Sequence, residues 1–175
     1  MSSSTPPLRS VLTAAEGGPA LRYERVLAFP AERVWAACST DAGLSPWIGA
    51  LRGSASAGDL AFAMTAEGAE APWVPVEVAA CAEASGWDVR LDAGMGAWRF
   101  VLSLAAHPDG TLLRFEHRMD SLDELRPYGT GWDYYLDRLE LSLSGGEIAS
   151  VDFVAVNDAL APVFEELFAE AEGRG

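Results

Sequence analysis

Five segments between Gly58 and Met119 place an inward-type residue at every second position, and this alternation constrains the fold more than any other feature of the chain. "GDLAFAMTA" offers Leu60, Phe62 and Met64; "WVPVEVAAC" offers Val74, Val76 and Val78; "GWDVRLD" offers Trp87, Val89 and Leu91. "AWRFVLSLA" adds Trp98, Phe100, Leu102 and Leu104, and "TLLRFEHRM" adds Leu113, Phe115, His117 and Met119, with Arg114, Glu116 and Arg118 on the opposite face. A period of two is the period of a half-buried strand. Turn residues separate the runs: "GMG" at Gly94–Gly96 marks one hairpin, and "HPDG" at His107–Gly110 is a tight turn with proline at its second position. The segments therefore read as an antiparallel meander with one wet face and one apolar face. An apolar face that wide has to be covered by a second layer.

The stretch "GTGWDYYLDRLELSL", Gly129–Leu143, supplies that layer. Trp132, Tyr135, Leu136, Leu139 and Leu143 recur at three- and four-residue spacing, while Asp133, Asp137, Arg138 and Glu140 are expected to point away. Upstream, "LRYERVLAF" alternates with Leu21, Tyr23, Leu27 and Phe29 inward, and Arg25 falls on that same apolar face. Pro30 ends this strand and suits the first turn of a helix with Val34, Ala37 and Cys38 on its inner side. Thr40 or Asp41 can cap a second short helix that buries Leu44, Trp47 and Ile48. The order is a strand, two short helices, a meander of about six strands and one long helix, an α+β arrangement. Residues 1–20, rich in Ser, Pro, Thr and Gly, read as a flexible lead-in, residues 21–146 as the domain, and residues 147–175 as an extension. The extension carries another amphipathic helix, Asn157 to Glu170, interrupted by Pro162, with Leu160, Val163, Phe164, Leu167 and Phe168 apolar. It either packs on the domain or docks onto a protein partner, a second copy of the chain included.

Composition narrows the partners. With 175 residues and half of them apolar, one domain with a sizeable core is expected. A formal charge of −14, from 26 acidic and 12 basic residues, repels phosphate backbones and anionic lipid, so nucleic acid and membrane are poor partners. Cys38 and Cys81 lie in no metal or redox spacing and read as free thiols in a reducing cytoplasm, with a single disulfide as the alternative. The first twenty residues hold neither a signal-peptide pattern nor a membrane span, and the expected location is cytoplasmic. No phosphate loop, nucleophile elbow, zinc-binding helix motif or paired carboxylates stand out, so the sequence calls for no cofactor or metal. Two polar residues fall on inward parity, Arg25 and His117, and a buried polar group needs a partner. Each either locks the fold by bonding to backbone or carboxylate or, for His117 above all, orients the polar end of a ligand. His107 reads as a turn residue.

"ERVLAFPAERVWAACSTDAGLSPWIG" resembles the opening signature of the SRPBCC (START/Bet v1-like) superfamily, in the branch named after the C-terminal domain of the activator of Hsp90 ATPase. Arg25, Pro30, Glu32, Val34-Trp35 and Trp47 carry the likeness, as do the late strand "GTLLRFEH" and the helix opening Gly131-Trp132. The resemblance spans Leu21 to about Gly146. It implies a helix-grip fold, a curved antiparallel sheet of six to seven strands around the long helix, with an internal cavity for an apolar ligand. Members include lipid and hormone carriers, polyketide cyclases and aromatases, and co-chaperone domains, and fold alone does not choose among them. The chain lacks the separate N-terminal domain of the eukaryotic activator, so the branch name does not carry its activity across. The expected function is binding of a small hydrophobic or amphipathic ligand between helix and sheet, without catalysis. Its cavity candidates are Trp47, Phe62, Met64, Trp87, Trp98, Phe100, Phe115, His117, Trp132, Tyr135, Leu136 and Leu139. The alternatives are a polyketide cyclase or aromatase-like enzyme and a chaperone- or stress-associated protein-binding domain.

Overall fold

Strand pairing follows the alternation. The computed structural model describes residues 10–15, 18–68, 70–92, 94 and 96–173. Strands β1 (Ser10–Ala15), β2 (Gly18–Leu27), β3 (Ala50–Arg52), β4 (Ala61–Ala63), β5 (Val74–Ala82), β6 (Gly86–Asp92), β7 (Ala97–His107) and β8 (Gly110–Arg118) form one antiparallel sheet. Its order is β1-β2-β8-β7-β6-β5-β4-β3. The register sets inward residues opposite one another: Leu21 faces His117, Tyr23 faces Phe115, and Phe100 faces His117 from the other side. Helices α1 (Ala31–Ser39) and α2 (Asp41–Leu44) connect β2 to β3. Thr40 caps α2 by accepting a hydrogen bond from the Gly43 N–H at 3.0 Å. A short helix α3 (Leu122–Leu125) and a 3-10 turn at Arg126–Tyr128 lead into α4 (Gly129–Ser144), and α5 (Phe153–Glu172) follows.

This is the α+β helix-grip fold, with the long helix α4 laid against the curved sheet. Trp132, Tyr135, Leu136, Leu139 and Leu143 are all buried, the full seam expected from spacing. Gly145, at φ +75°, ends α4 in the left-handed conformation that a residue without Cβ adopts at least cost.

Five expectations need correction. The sheet has eight strands rather than six or seven, because part of the presumed lead-in is structured: β1 pairs with β2 along Ser10–Ala15, and β2 begins at Gly18. Met1–Arg9 and the Glu16-Gly17 turn lie outside the described residues, as do Ala93 and Met95 in the expected Gly94–Gly96 hairpin. The segment around Phe62 shortens to three strand residues, Ala61–Ala63, with Phe62 less buried than the alanines that flank it. Glu116, expected on the wet face, is buried because Arg22 and Arg118 fold over it from both sides at 2.7 and 2.5 Å. Asp133, expected to point outward from α4, is buried as well. Pro162 does not interrupt α5, which runs continuously through it with the proline on its exposed face. The missing N–H then removes one helix hydrogen bond on the solvent side, where water can serve the freed carbonyl.

Helix α5 packs against α4 and β1, burying Phe164 and Phe168. The close approach is made at Gly129, where a Cβ would stand only 2.6 Å from a ring carbon of Phe164. Leu160 and Leu167 fill in beside the core, so the apolar face of the extension is largely spent within the chain. Among the described residues, no helix is long and apolar enough to cross a membrane.

Arg25 explains why Asp133 is inside. Its guanidinium sits on the inner face of β2 with a side-chain exposure of 3%, and one terminal nitrogen donates to the Asp133 carboxylate, itself 7% exposed. A second terminal N–H donates to the Glu24 carbonyl at 3.0 Å, and Asp137, one helical turn on, stands 3.9 Å away. Nearby, the Tyr23 hydroxyl donates to the Gly129 carbonyl at 2.7 Å, tying the same strand to the first turn of the helix. Breaking one side of a buried pair leaves a charge with no compensation, whereas replacing both with apolar residues is often neutral. Asp133→Ala is therefore expected to cost about 3 to 5 kcal/mol in denaturant unfolding. The double variant Arg25→Met with Asp133→Leu is expected to recover most of that loss; equal destabilisation of both variants would show that the pair does not act as a unit.

Candidate functional site

Sheet curvature leaves space that α4 does not fill. Toward the β3–β6 end of the sheet lies an apolar pocket of about 490 Å³. Its floor is the inner face of β5 to β8, including Val76, Val89, Leu102 and Phe115; its roof is Trp132, Leu136 and Leu139 of α4. Trp35 and Cys38 of α1, Leu44, Trp47 and Ile48 around α2, and the Gly53–Ala55 stretch after β3 close the remaining side. A size of this order and a mainly apolar wall are what small-molecule sites have in common.

Of the residues named from sequence, Trp47, Phe62, Trp87, Phe100, Phe115, Trp132, Leu136 and Leu139 border this pocket. Met64, Trp98, His117 and Tyr135 do not. Met64 packs half-buried against the core, and Tyr135 lies on the flank of α4, its ring 5.1 Å from that of Tyr134. Trp98 and His117 belong to an aromatic cluster on β7 and β8 beside the pocket, packed against Tyr128 of the 3-10 turn. Strand parity already put Val76, Val89 and Leu102 inward, but parity does not separate pocket wall from filled core. Trp35 belongs to the family-like pattern but is not among the cavity candidates, because it sits beside the buried side of α1, and Leu51 carried no signal, since it reaches the pocket only through the fold of the β3–β4 connection.

His117 is fully buried, with the ring of Phe100 at 4.8 Å, Tyr128 at 5.0 Å, Trp98 at 5.6 Å and Trp132 at 5.9 Å. The Trp132 indole N–H donates to His117 Nδ1 at 3.1 Å. An indole can only donate, so Nδ1 is the bare nitrogen and the proton resides on Nε2. That Nε2–H and the Trp98 indole N–H have no partner among the described residues. Burial among rings disfavours the imidazolium and pushes the His117 pKa down from 6.5 to about 3. The imidazole is thus a neutral acceptor that holds one indole of the pocket roof in place, and it does not touch the pocket itself.

Both cysteines are free thiols, Cys38 buried and Cys81 exposed, and both border the pocket. Burial pushes the Cys38 thiol up to about 12, so it is protonated and weakly nucleophilic. Among the described residues, no group of three or more His, Cys, Asp or Glu side chains is placed to hold a metal ion.

No family model and no curated protein matches the chain. Solved structures share its fold. The crystal structure of CalU16 from Micromonospora echinospora is 20% identical with a TM-score of 0.72, over 91% of this chain and 96% of that one. The solution structure of CalU16 gives 19% identity and a TM-score of 0.69, over 97% of this chain and 99% of that one. Protein MLL2253 from Mesorhizobium loti is 21% identical with a TM-score of 0.61, over 73% of this chain and 98% of that one.

The His117 environment sets a pH dependence. The unfolded chain takes up a proton at this residue below pH 6.5, while the folded chain resists it down to about pH 3. Stability is therefore fully present above 6.5 and falls as the pH drops through that window, by up to about 1.4 kcal/mol per pH unit. Carboxylates whose folded pKa values are held low, such as Glu116, contribute mainly nearer and below 4.5. Denaturant unfolding of the His117→Gln variant, which keeps an acceptor for Trp132, is expected to show a flatter pH profile between 6.5 and 4.5; identical slopes in both proteins would contradict this assignment.

Proposed function

We propose that the chain binds a small apolar molecule in the pocket between α4 and the sheet, as a non-enzymatic binding domain of the SRPBCC superfamily. The single observation that carries this reading is the wall of the 490 Å³ pocket: it is built of aliphatic and aromatic side chains from nine elements, with two thiols and a few hydroxyls as its side-chain polar groups. Trp35, Trp47, Trp87 and Trp132 place indole surface around one space, which suits a flat or cyclic ligand that stacks on rings. Membership of the superfamily is supported by the helix-grip fold, by the structural likeness to CalU16, and by the Arg25, Pro30, Trp35 and Gly131-Trp132 pattern.

A cyclase or aromatase reading needs a general acid or base that faces the substrate. The titratable groups bordering the pocket among the described residues are the two thiols, and His117 packs on Phe100 and Trp132 without reaching the space they enclose. Binding is the reading these placements favour, in the cytoplasm that the free thiols fit.

Native mass spectrometry of freshly purified protein, set against its denatured mass, tests the proposal. A discrete mass excess lost on denaturation is expected, and a variant that fills the space, Leu102→Trp, is expected to lose that excess while melting cooperatively. Equal native and denatured masses, together with no binding of any apolar fluorophore, would sink the reading.

A further inference from the structure

A ligand entering this pocket would find most of the strong hydrogen-bond donors of the wall already in use; the Trp35 indole N–H and the weakly donating thiols of Cys38 and Cys81 are the exceptions among the described residues. Trp47 donates its indole N–H to the Ala37 carbonyl at 3.0 Å, Trp87 to the Cys38 carbonyl at 3.2 Å, and Trp132 to His117 at 3.1 Å. At the mouth, the Ser39 hydroxyl donates to the Trp35 carbonyl at 2.6 Å and the Thr40 hydroxyl to the Ala36 carbonyl at 2.8 Å. The described residues bordering the pocket include no Arg, Lys, His, Asp or Glu. The nearest cation on the roof helix, Arg138, is committed elsewhere, donating to the Trp47 carbonyl at 2.8 Å and to the Tyr134 hydroxyl at 3.1 Å.

We propose that the pocket selects ligands by charge, accepting uncharged ring systems and rejecting the same skeleton once it bears an ionised group. This rests on the binding role proposed above and narrows it, since an amphipathic ligand with an ionic head inside the pocket is excluded. The physical reason is desolvation. An ion that leaves water must be met by an opposite charge or by several donors or acceptors, and where none waits, the penalty falls on binding in full. Anions meet no cation and few spare donors here, and ammonium groups meet no carboxylate. An uncharged aryl ring loses little on entering and gains contact with indole faces. The exclusion is built by saturation and by the absence of charge: three of the four indoles and the Ser39 and Thr40 hydroxyls are spent on the protein's own backbone and on His117, and one neutral indole N–H, that of Trp35, does not compensate an ion.

Two fluorescent probes with one anilinonaphthalene skeleton test this. N-phenyl-1-naphthylamine is uncharged, and 1-anilinonaphthalene-8-sulfonate carries a sulfonate fixed to the ring system, so a buried ring brings the charge in with it. The full-length protein is expected to bind the uncharged probe and to bind the sulfonate about 100-fold more weakly or not at all, a gap that persists in 1 M NaCl. Equal affinity for the two would overturn charge selection while leaving the binding role intact. Recovery of sulfonate binding in high salt would also overturn it, because the barrier would then be long-range repulsion by the −14 net charge, which salt screens. Failure to bind either probe would overturn the binding role itself and this inference with it. As a gain-of-function arm, Ser39→Lys puts a cation at the pocket mouth on the last residue of α1, where a helix C-terminus favours positive charge. It is expected to raise the affinity for the sulfonate relative to that for the uncharged probe at least 10-fold, with a cooperative thermal melt reporting an intact fold. An unchanged relative affinity in that variant would show that a missing cation is not the cause.

Discussion

Burial of the α4 seam against the concave face of the sheet is the contact on which everything else depends. Neither layer stands alone: the inner faces of β5 to β8 are continuous apolar surface, and α4 buries Trp132, Tyr135, Leu136, Leu139 and Leu143 only because that surface is there. The polar contacts around this seam fix position rather than supply the bulk of the stability. Arg25 with Asp133, and Tyr23 with the Gly129 carbonyl, tie β2 to the first turns of the helix. Arg33 donates to the Leu143 carbonyl at 2.5 Å and pins the last turn to α1. The helix is thus located at both ends, and the pocket has a roof of fixed height.

Where the chain's periodicity was long and regular, it was legible. β7 and β8 alternate over most of their lengths, and each inward residue expected there is buried. The seam of α4 could be read for the same reason, because a helix that covers a sheet repeats its demand every three or four residues. What escaped had a pairwise or shape-dependent origin. Asp133 sits on the flank of the seam, and only the inward Arg25, 108 positions away, makes its burial sensible. Glu116 obeys the outward parity and is still covered, because two arginines reach over it from neighbouring positions. β1 hid in a short Ser-, Pro- and Gly-rich segment whose strand character depends on the free edge of β2. The pocket escaped for a different reason: Trp98 and Trp87 carry the same inward parity, yet one packs in a filled cluster and the other borders open space, a distinction that arises from three-dimensional packing.

Two environments therefore lie on the inner face of one sheet. In one, Trp98, Phe100, His117, Tyr128 and Trp132 pack ring against ring; in the one beside it the wall stands back. Trp132 and Phe100 belong to both, with one side toward the imidazole and the other toward the pocket. The buried histidine serves as an internal strut for a pocket wall, and its low pKa keeps that strut in one protonation state at any pH near neutrality.

The arginine–carboxylate pairs on the outer face of the sheet also govern where the molecule's charge resides. Arg22, Arg99, Arg114 and Arg118 are matched there by Glu116, Asp88 and Glu24. Helix α5, by contrast, carries Asp158, Glu165, Glu166, Glu170 and Glu172 with no basic residue along its length. Arg126, on the turn before α4, meets Glu165 and Glu172, yet the α5 surface is still more acidic than the paired back of the sheet. Within roughly 10 Å at 0.1 M salt, another charged body meets an oriented molecule rather than a uniformly acidic one, and the near-neutral back of the sheet is the side that approaches an anionic neighbour most easily.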